Sequence, residues 1–135
     1  TRCLQESIQR DSALENPQDV YHYLTHKLRP YPYEVFSCLF LDNAHRFIHF
    51  EELFHGSINE AAIYPRELIR QVYEHNAAAV ILAHNHPSGI AEPSEADKRI
   101  TQEIKSILSA IDVRLLDHII IGEGAITSFA SQGLL

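Results

Sequence analysis

The stretch AAAVILAHNHPSGIAEPSEADKRITQEIKSILSAIDVRLLDHIIIG, residues 77–122, decides the fold of this 135-residue chain. Residues 77–83 are a short apolar run, suited to a strand buried on both faces. The run passes directly into HNHPSGIAEP, a polar loop with two prolines and a glycine. From Ser94 the period changes. Ile100, Ile104, Ile107, Leu108 and Ile111 share one helical face, while Lys98, Glu103 and Lys105 lie elsewhere around the helix. Residues 113–122 then read as a second buried strand, closed by Gly122-Glu123-Gly124 and a short final hairpin arm. Strand, helix and strand form a βαβ crossover, which predicts a parallel, right-handed pair.

Upstream, residues 34–42 (EVFSCLFLD) are apolar on both faces and rich in β formers, which predicts a central strand. Asp42-Asn43 supplies a turn, and residues 45–56 make a second strand paired to the first. Pro65 opens a helix in which Leu68, Ile69, Val72 and Tyr73 form an apolar stripe. Asn16-Pro17 starts an earlier helix that runs through Val20, Tyr23, Leu24 and Leu28 and stops at RPYPY. The expected fold is α/β, a mixed β-sheet flanked by helices.

One domain fits the length. Residues 3–11 have the pattern of a short polar helix. With no initiator Met, residues 1–15 read as a junction to an absent N-terminal part, and residues 16–135 as the domain. Eighteen acidic against eleven basic side chains give a formal charge of −7, which argues against gripping a phosphate backbone by bulk attraction. Two cysteines, Cys3 and Cys38, cannot build a disulfide scaffold or a four-cysteine zinc site, and they point to a reducing cytoplasm. Cys38 reads as a small buried hydrophobe. No apolar run is long enough to span a bilayer, and no signal segment opens the chain.

Nine histidines are the conspicuous surplus. His84 and His86 sit at the carboxyl end of a buried strand, where open α/β sheets place ligand sites. Their i,i+2 spacing in extended chain turns both imidazoles to one side. Asp97 falls in the first turn of the next helix, whose N-terminus faces back toward that strand end. Two imidazoles and a carboxylate are three of the four corners of a catalytic zinc, with water in the fourth. Roughly 0.6 His-x-His pairs are expected by chance in such a chain, but adding Ser94 and Asp97 at their spacing lowers the expectation to about 0.002. Ser94-x-x-Asp97 also reads as a capping box, with Asp for the usual Glu or Gln. Ser94 can cap the helix and still present its hydroxyl, whereas the two readings compete for Asp97. His22, His26, His45 and His75 sit on polar faces or turns and read as solvated rather than as ligands, and His49 and His55 alternate along a strand edge. His118, in a buried strand, reads as a hydrogen-bonded core histidine rather than a third metal imidazole.

His84-Asn85-His86-Pro87, then Ser94-x-x-Asp97, resembles the JAMM (JAB/MPN) metalloprotease motif. GSINEAAIYPREL, HNAAAVILAHNHPSG, PSEADKRIT and LLDHIIIG resemble the bacterial RadC family more closely still, over residues 16–135. The resemblance implies the cytidine-deaminase-like three-layer JAB/MPN architecture. It implies one catalytic Zn²⁺ on His84, His86 and Asp97, with Ser94 stabilising an oxyanion. It also implies an essential glutamate at the start of the early central strand, which is Glu34; spacing alone does not separate Glu34 from Glu51, Glu52, Glu60 or Glu67. Such a site would perform metal-assisted amide or isopeptide hydrolysis, Glu34 moving the proton of the zinc-activated water. RadC-like proteins carry a helix-hairpin-helix region before this domain, and DNA contact would belong there.

Rival readings fit less well. HNH nucleases spread their residues over a longer motif, and zinc deaminases need H-x-E and P-C-x-x-C. The alternative from another class is a non-hydrolytic, DNA-repair-associated or protein-interaction domain that retains the metal site, with Arg66, Arg70, Lys98 and Arg99 as the candidate basic patch. The chain shows no sign of the insertions used by ubiquitin-directed JAMM enzymes. The substrate class that the resemblance implies is a peptide or protein.

Overall fold

A computed structural model describes residues 16–56 and 65–135. The junction over residues 1–15, with its polar helix, lies outside the described residues, as does Glu60. The elements are α1 (Pro17–Leu28), β1 (Val35–Leu41), β2 (Phe47–His55), α2 (Pro65–His75), β3 (Ala79–Asn85), α3 (Glu95–Ala110), β4 (Arg114–Ile121) and β5 (Ile126–Ser128). Five strands make one mixed sheet in the order β2-β1-β3-β4-β5. The pair β3–β4 is parallel, and β1–β2, β1–β3 and β4–β5 are antiparallel. The α/β mixed sheet expected from the sequence is the fold.

Alternation along the central strands builds the layers. Val35, Leu39 and Leu41 of β1 and Ala79, Ile81 and Ala83 of β3 pack with Val20, Tyr23, Leu24 and Leu28 of α1. The residues between them, Phe36, Cys38, Phe40, Val80 and Leu82, face the opposite way and pack with Leu68 and Val72 of α2 and Ile104 and Leu108 of α3. Successive side chains of a strand leave on opposite faces, so strands buried on both faces must be apolar throughout. Helices therefore cover both sides of the sheet. Among the described residues no helix is long and apolar enough to cross a membrane.

Three details differ from the sequence reading. The strand expected over 77–83 is shifted toward the loop, so His84 and Asn85 belong to β3 itself. Tyr73 was expected on the apolar stripe of α2 but is 71% exposed. The buried positions of that helix are Leu68, Gln71 and Val72, and a further 100° of rotation carries Tyr73 out of the face. His75 is not simply solvated: its ring stacks on His49 with centroids 4.1 Å apart.

Candidate metal centre

Strand pairing brings the chemistry together. Phe36 lies opposite His84 and Ser37 opposite Ala83, and the same antiparallel count places Glu34, just ahead of β1, opposite His86. Glu51 and Glu52 sit on β2, beyond β1, and Glu67 is bonded to Arg70. Glu34, His84 and His86 offer ligand atoms within 4.8 Å of one another, a group that could hold a metal ion. His84 is buried, and Glu34 and His86 are partly exposed at the mouth.

Asp97 reaches the same point from the first turn of α3. His84 Nε2 lies 3.0 Å from His86 Nε2 and 3.2 Å from Asp97 Oδ1. His86 Nε2 is 3.2 Å from Asp97 Oδ2. The capping box is present as well. Asp97 N donates to Ser94 Oγ at 3.0 Å, and Ser94 N donates to Asp97 Oδ2 at 2.9 Å. The two readings expected to compete for Asp97 are both met: Oδ2 takes the cap and also faces His86, and Oδ1 is turned to His84.

The loop after β3 is pinned to the end of β4. His86 N donates to Ile121 O at 2.9 Å, and Glu123 N to Gly89 O at 2.8 Å. His86 Nδ1 is 2.9 Å from Ile90 O, and since a carbonyl only accepts, Nδ1 carries the proton of that bond. The loop thereby sets the ring and points Nε2 inward. A cleft of about 390 Å³ lined by Arg29, Tyr31, Asn85, His86 and Pro87 opens beside it.

Charge is concentrated here. Burial opposes ionisation of Asp97, yet the adjoining imidazoles of His84 and His86 and the Ser94 amide hold its carboxyl well below the usual carboxylate range. The same contact works on its partner: the Asp97 bond raises the pKa of His86 against the opposing effect of burial. Behind them His118 is fully buried, and desolvation, reinforced by His84, pushes it well below the ordinary histidine range. His84 Nδ1 stands 2.8 Å from His118 Nε2, and His118 Nδ1 stands 2.6 Å from Thr101 Oγ1. His118 is a hydrogen-bonded core histidine, stacked on Phe129 at 4.6 Å.

Two polar residues of the site had no signal in the sequence. Asn85 points to the α1 side of the sheet, accepts from Val35 N at 2.7 Å and donates to Tyr33 O at 2.9 Å. It clamps the backbone on both sides of Glu34. Thr101 lies one helical turn after Asp97, where its spacing reads only as a helix interior. Of the basic side chains singled out earlier, Arg70 is bonded to Glu67 and Glu74, and Lys98 lies 3.6 Å from Glu95.

The RadC-like JAB domain family matches residues 14–134. A UPF0758 protein of Nitrosococcus oceani is 57% identical over 134 residues, covering 99% of this chain and 60% of that protein. The UPF0758 proteins of Thioalkalivibrio sulfidiphilus and Alcanivorax borkumensis are 54% and 55% identical, with 60% and 59% of their lengths covered. The chain therefore spans about three-fifths of the length of the curated relatives it matches.

Proposed function

The chain belongs to the RadC-like JAB domain family, and on that premise we propose that it is a zinc-dependent hydrolase of amide or isopeptide bonds. The observation that carries the reading is the convergence of His84 Nε2, His86 Nε2 and the Asp97 carboxylate at 3.0–3.2 Å. Donor atoms bonded to one tetrahedral zinc at about 2.0–2.1 Å stand about 3.3–3.4 Å apart, so a few tenths of an ångström of expansion fits the ion. Groups that share a proton at such distances can share a cation, and two imidazoles with one carboxylate suit zinc. His84, His86 and Asp97 would hold it. When bound, zinc would acidify a water molecule and polarise a substrate carbonyl.

The remaining steps fall to side chains of the chain. Glu34 stands at the mouth, within reach of a water between itself and the histidines, and takes the proton of the attacking water. It then passes that proton to the leaving amine. Ser94 accepts from Asp97 N through its oxygen, which leaves its O–H to donate to the developing oxyanion. Buried Asp97, held ionised, offsets the positive charge of the site. Asn85 keeps Glu34 in register by bonding both neighbouring residues. On this reading the reaction belongs to the cytoplasm and acts on a peptide or protein substrate, and DNA contact is assigned outside this domain.

The test is an unbiased peptide-library cleavage assay on the zinc-loaded chain and its Glu34→Gln variant. Wild type should cleave, and the variant should retain zinc but lose about 10²-fold or more in turnover. Equal turnover by both proteins, or no cleavage by the zinc-loaded wild type, would contradict the reading.

A further inference from the structure

We propose that Thr101 and His118 are positioning residues that hold His84 in the tautomer able to bind metal, through a relay that begins and ends on Asp97. The inference rests on the metal reading of His84, His86 and Asp97 and assigns work to two side chains outside that set.

The direction of each bond follows from what each atom can do. Thr101 Oγ1 lies 2.6 Å from the backbone carbonyl of Asp97, which can only accept, so the hydroxyl proton is committed there. The same oxygen lies 2.6 Å from His118 Nδ1. With its single proton used, Thr101 can only accept from the ring, so His118 Nδ1 carries a hydrogen. His118 is fully buried between Phe36 and Phe129, with ring centroids 5.7 and 4.6 Å away, a setting that favours the neutral imidazole. A neutral ring protonated at Nδ1 has a bare Nε2. That bare nitrogen faces His84 Nδ1 at 2.8 Å and accepts its proton. His84 then presents a lone pair at Nε2, the atom aimed at His86 and at Asp97 Oδ1.

The relay solves a problem that the buried site creates. A lone imidazole in water prefers neither nitrogen strongly enough to fix its orientation, and a ligating histidine needs an acceptor on its other nitrogen. His86 obtains one from the Ile90 carbonyl within its own loop. His84, inside a strand, has its neighbouring carbonyls engaged in the sheet, so the acceptor must come from the next strand. The pairing of Leu82 with His118 and of His84 with Ile120 brings it there. Thr101 fixes the polarity of that acceptor, because Asp97 O uses up its donor.

Histidine ¹⁵N spectra of the uniformly labelled chain test the relay without any substitution. His118 should appear as the neutral Nδ1–H tautomer with and without zinc, and His84 should bind zinc through Nε2. Zinc affinity, measured by competition with a chromophoric chelator, should fall about 10-fold or more in Thr101→Val and 10- to 100-fold in His118→Leu. Thr101→Ser and His118→Gln, which restore the acceptor at each place, should recover most of that loss. Thermal melts confirm which variants fold, and near-isosteric Thr101→Val with its Ser rescue decides the matter if His118→Leu does not. An Nε2–H tautomer at His118, or wild-type zinc affinity in folded Thr101→Val, would overturn the relay while zinc binding by the wild type stood. Absence of zinc binding by a wild-type chain whose His118 is Nδ1–H would instead overturn the metal reading and leave the relay as structure only.

Discussion

Gly122→Ala should damage the proposed metal site from outside it. Gly122 directly follows β4, and a Cβ there would lie 2.5 Å from Gly89 O, 3.0 Å from Ala91 N and 3.1 Å from Ala91 Cβ. All three neighbours belong to the loop that begins at His86, and two are backbone atoms that cannot rotate aside. Reaching an ordinary contact requires the loop to retreat by about 0.5–0.9 Å. That motion strains the bonds from Glu123 N to Gly89 O and from His86 N to Ile121 O, which seat the loop. Overpacking of this kind costs about 1–3 kcal/mol, or roughly 4–12 °C in Tm for a domain of this size. Because His86 Nδ1 is fixed by Ile90 O in the same loop, zinc affinity should fall about 10-fold. Thermal unfolding and chelator competition measure the two effects. Gly124→Ala is the control: nothing lies within 4 Å of its added carbon, but its φ of +64° imposes a backbone cost of about 1–2 kcal/mol without moving the loop. Gly122→Ala with wild-type stability and affinity, or equal loss of zinc in Gly124→Ala, would refute the reasoning.

Three further outcomes follow from other contacts. Ser94→Ala should lose about 1 kcal/mol of helix capping in urea titrations yet keep its zinc, because the bond to Asp97 Oδ2 comes from the backbone amide of residue 94. Asn85→Ala strands Val35 N–H and Tyr33 O, which costs about 1–3 kcal/mol per group. Steady-state kinetics should show turnover falling more than zinc affinity, since the clamp acts on the Glu34 segment. Cys38 is buried and its thiol is raised by desolvation, so it should resist a thiol reagent at pH 8 until the chain unfolds. A raised folded pKa means that this contribution is complete below the unfolded thiol value of about 8.5 and is lost as pH rises above it. Denaturant titrations across pH 8–10 should show a shallower decline for Cys38→Ala than for wild type.

What could be read from the sequence is what local pattern encodes. The crossover from β3 through α3 to β4 announced itself because strands buried on both faces carry unbroken apolar runs and the helix between them has one apolar stripe. The capping box and the His-x-His pair are local too, which is why Ser94, His84, His86 and Asp97 stood out together. Glu34 did not: its place opposite His86 depends on the β1–β3 register, a non-local fact that spacing cannot supply, and resemblance had to choose it. Asn85 alternates out of the histidine face and bonds a segment 50 and 52 residues earlier, so nothing beside it in the chain reveals its task. Thr101 and His118 meet only because α3 packs on β4. That Asp97 serves cap and cluster together was equally invisible, since a sequence shows one carboxylate where the fold uses two oxygens.

The central claim is that His84, His86 and Asp97 hold one zinc ion. Diffraction from zinc-grown crystals of this chain, collected on both sides of the zinc absorption edge, tests it directly. The account predicts one anomalous peak per chain, about 2.0–2.1 Å from His84 Nε2, His86 Nε2 and an Asp97 carboxylate oxygen. No peak at that point, or a peak bonded to Glu34 with Asp97 left out, would contradict it.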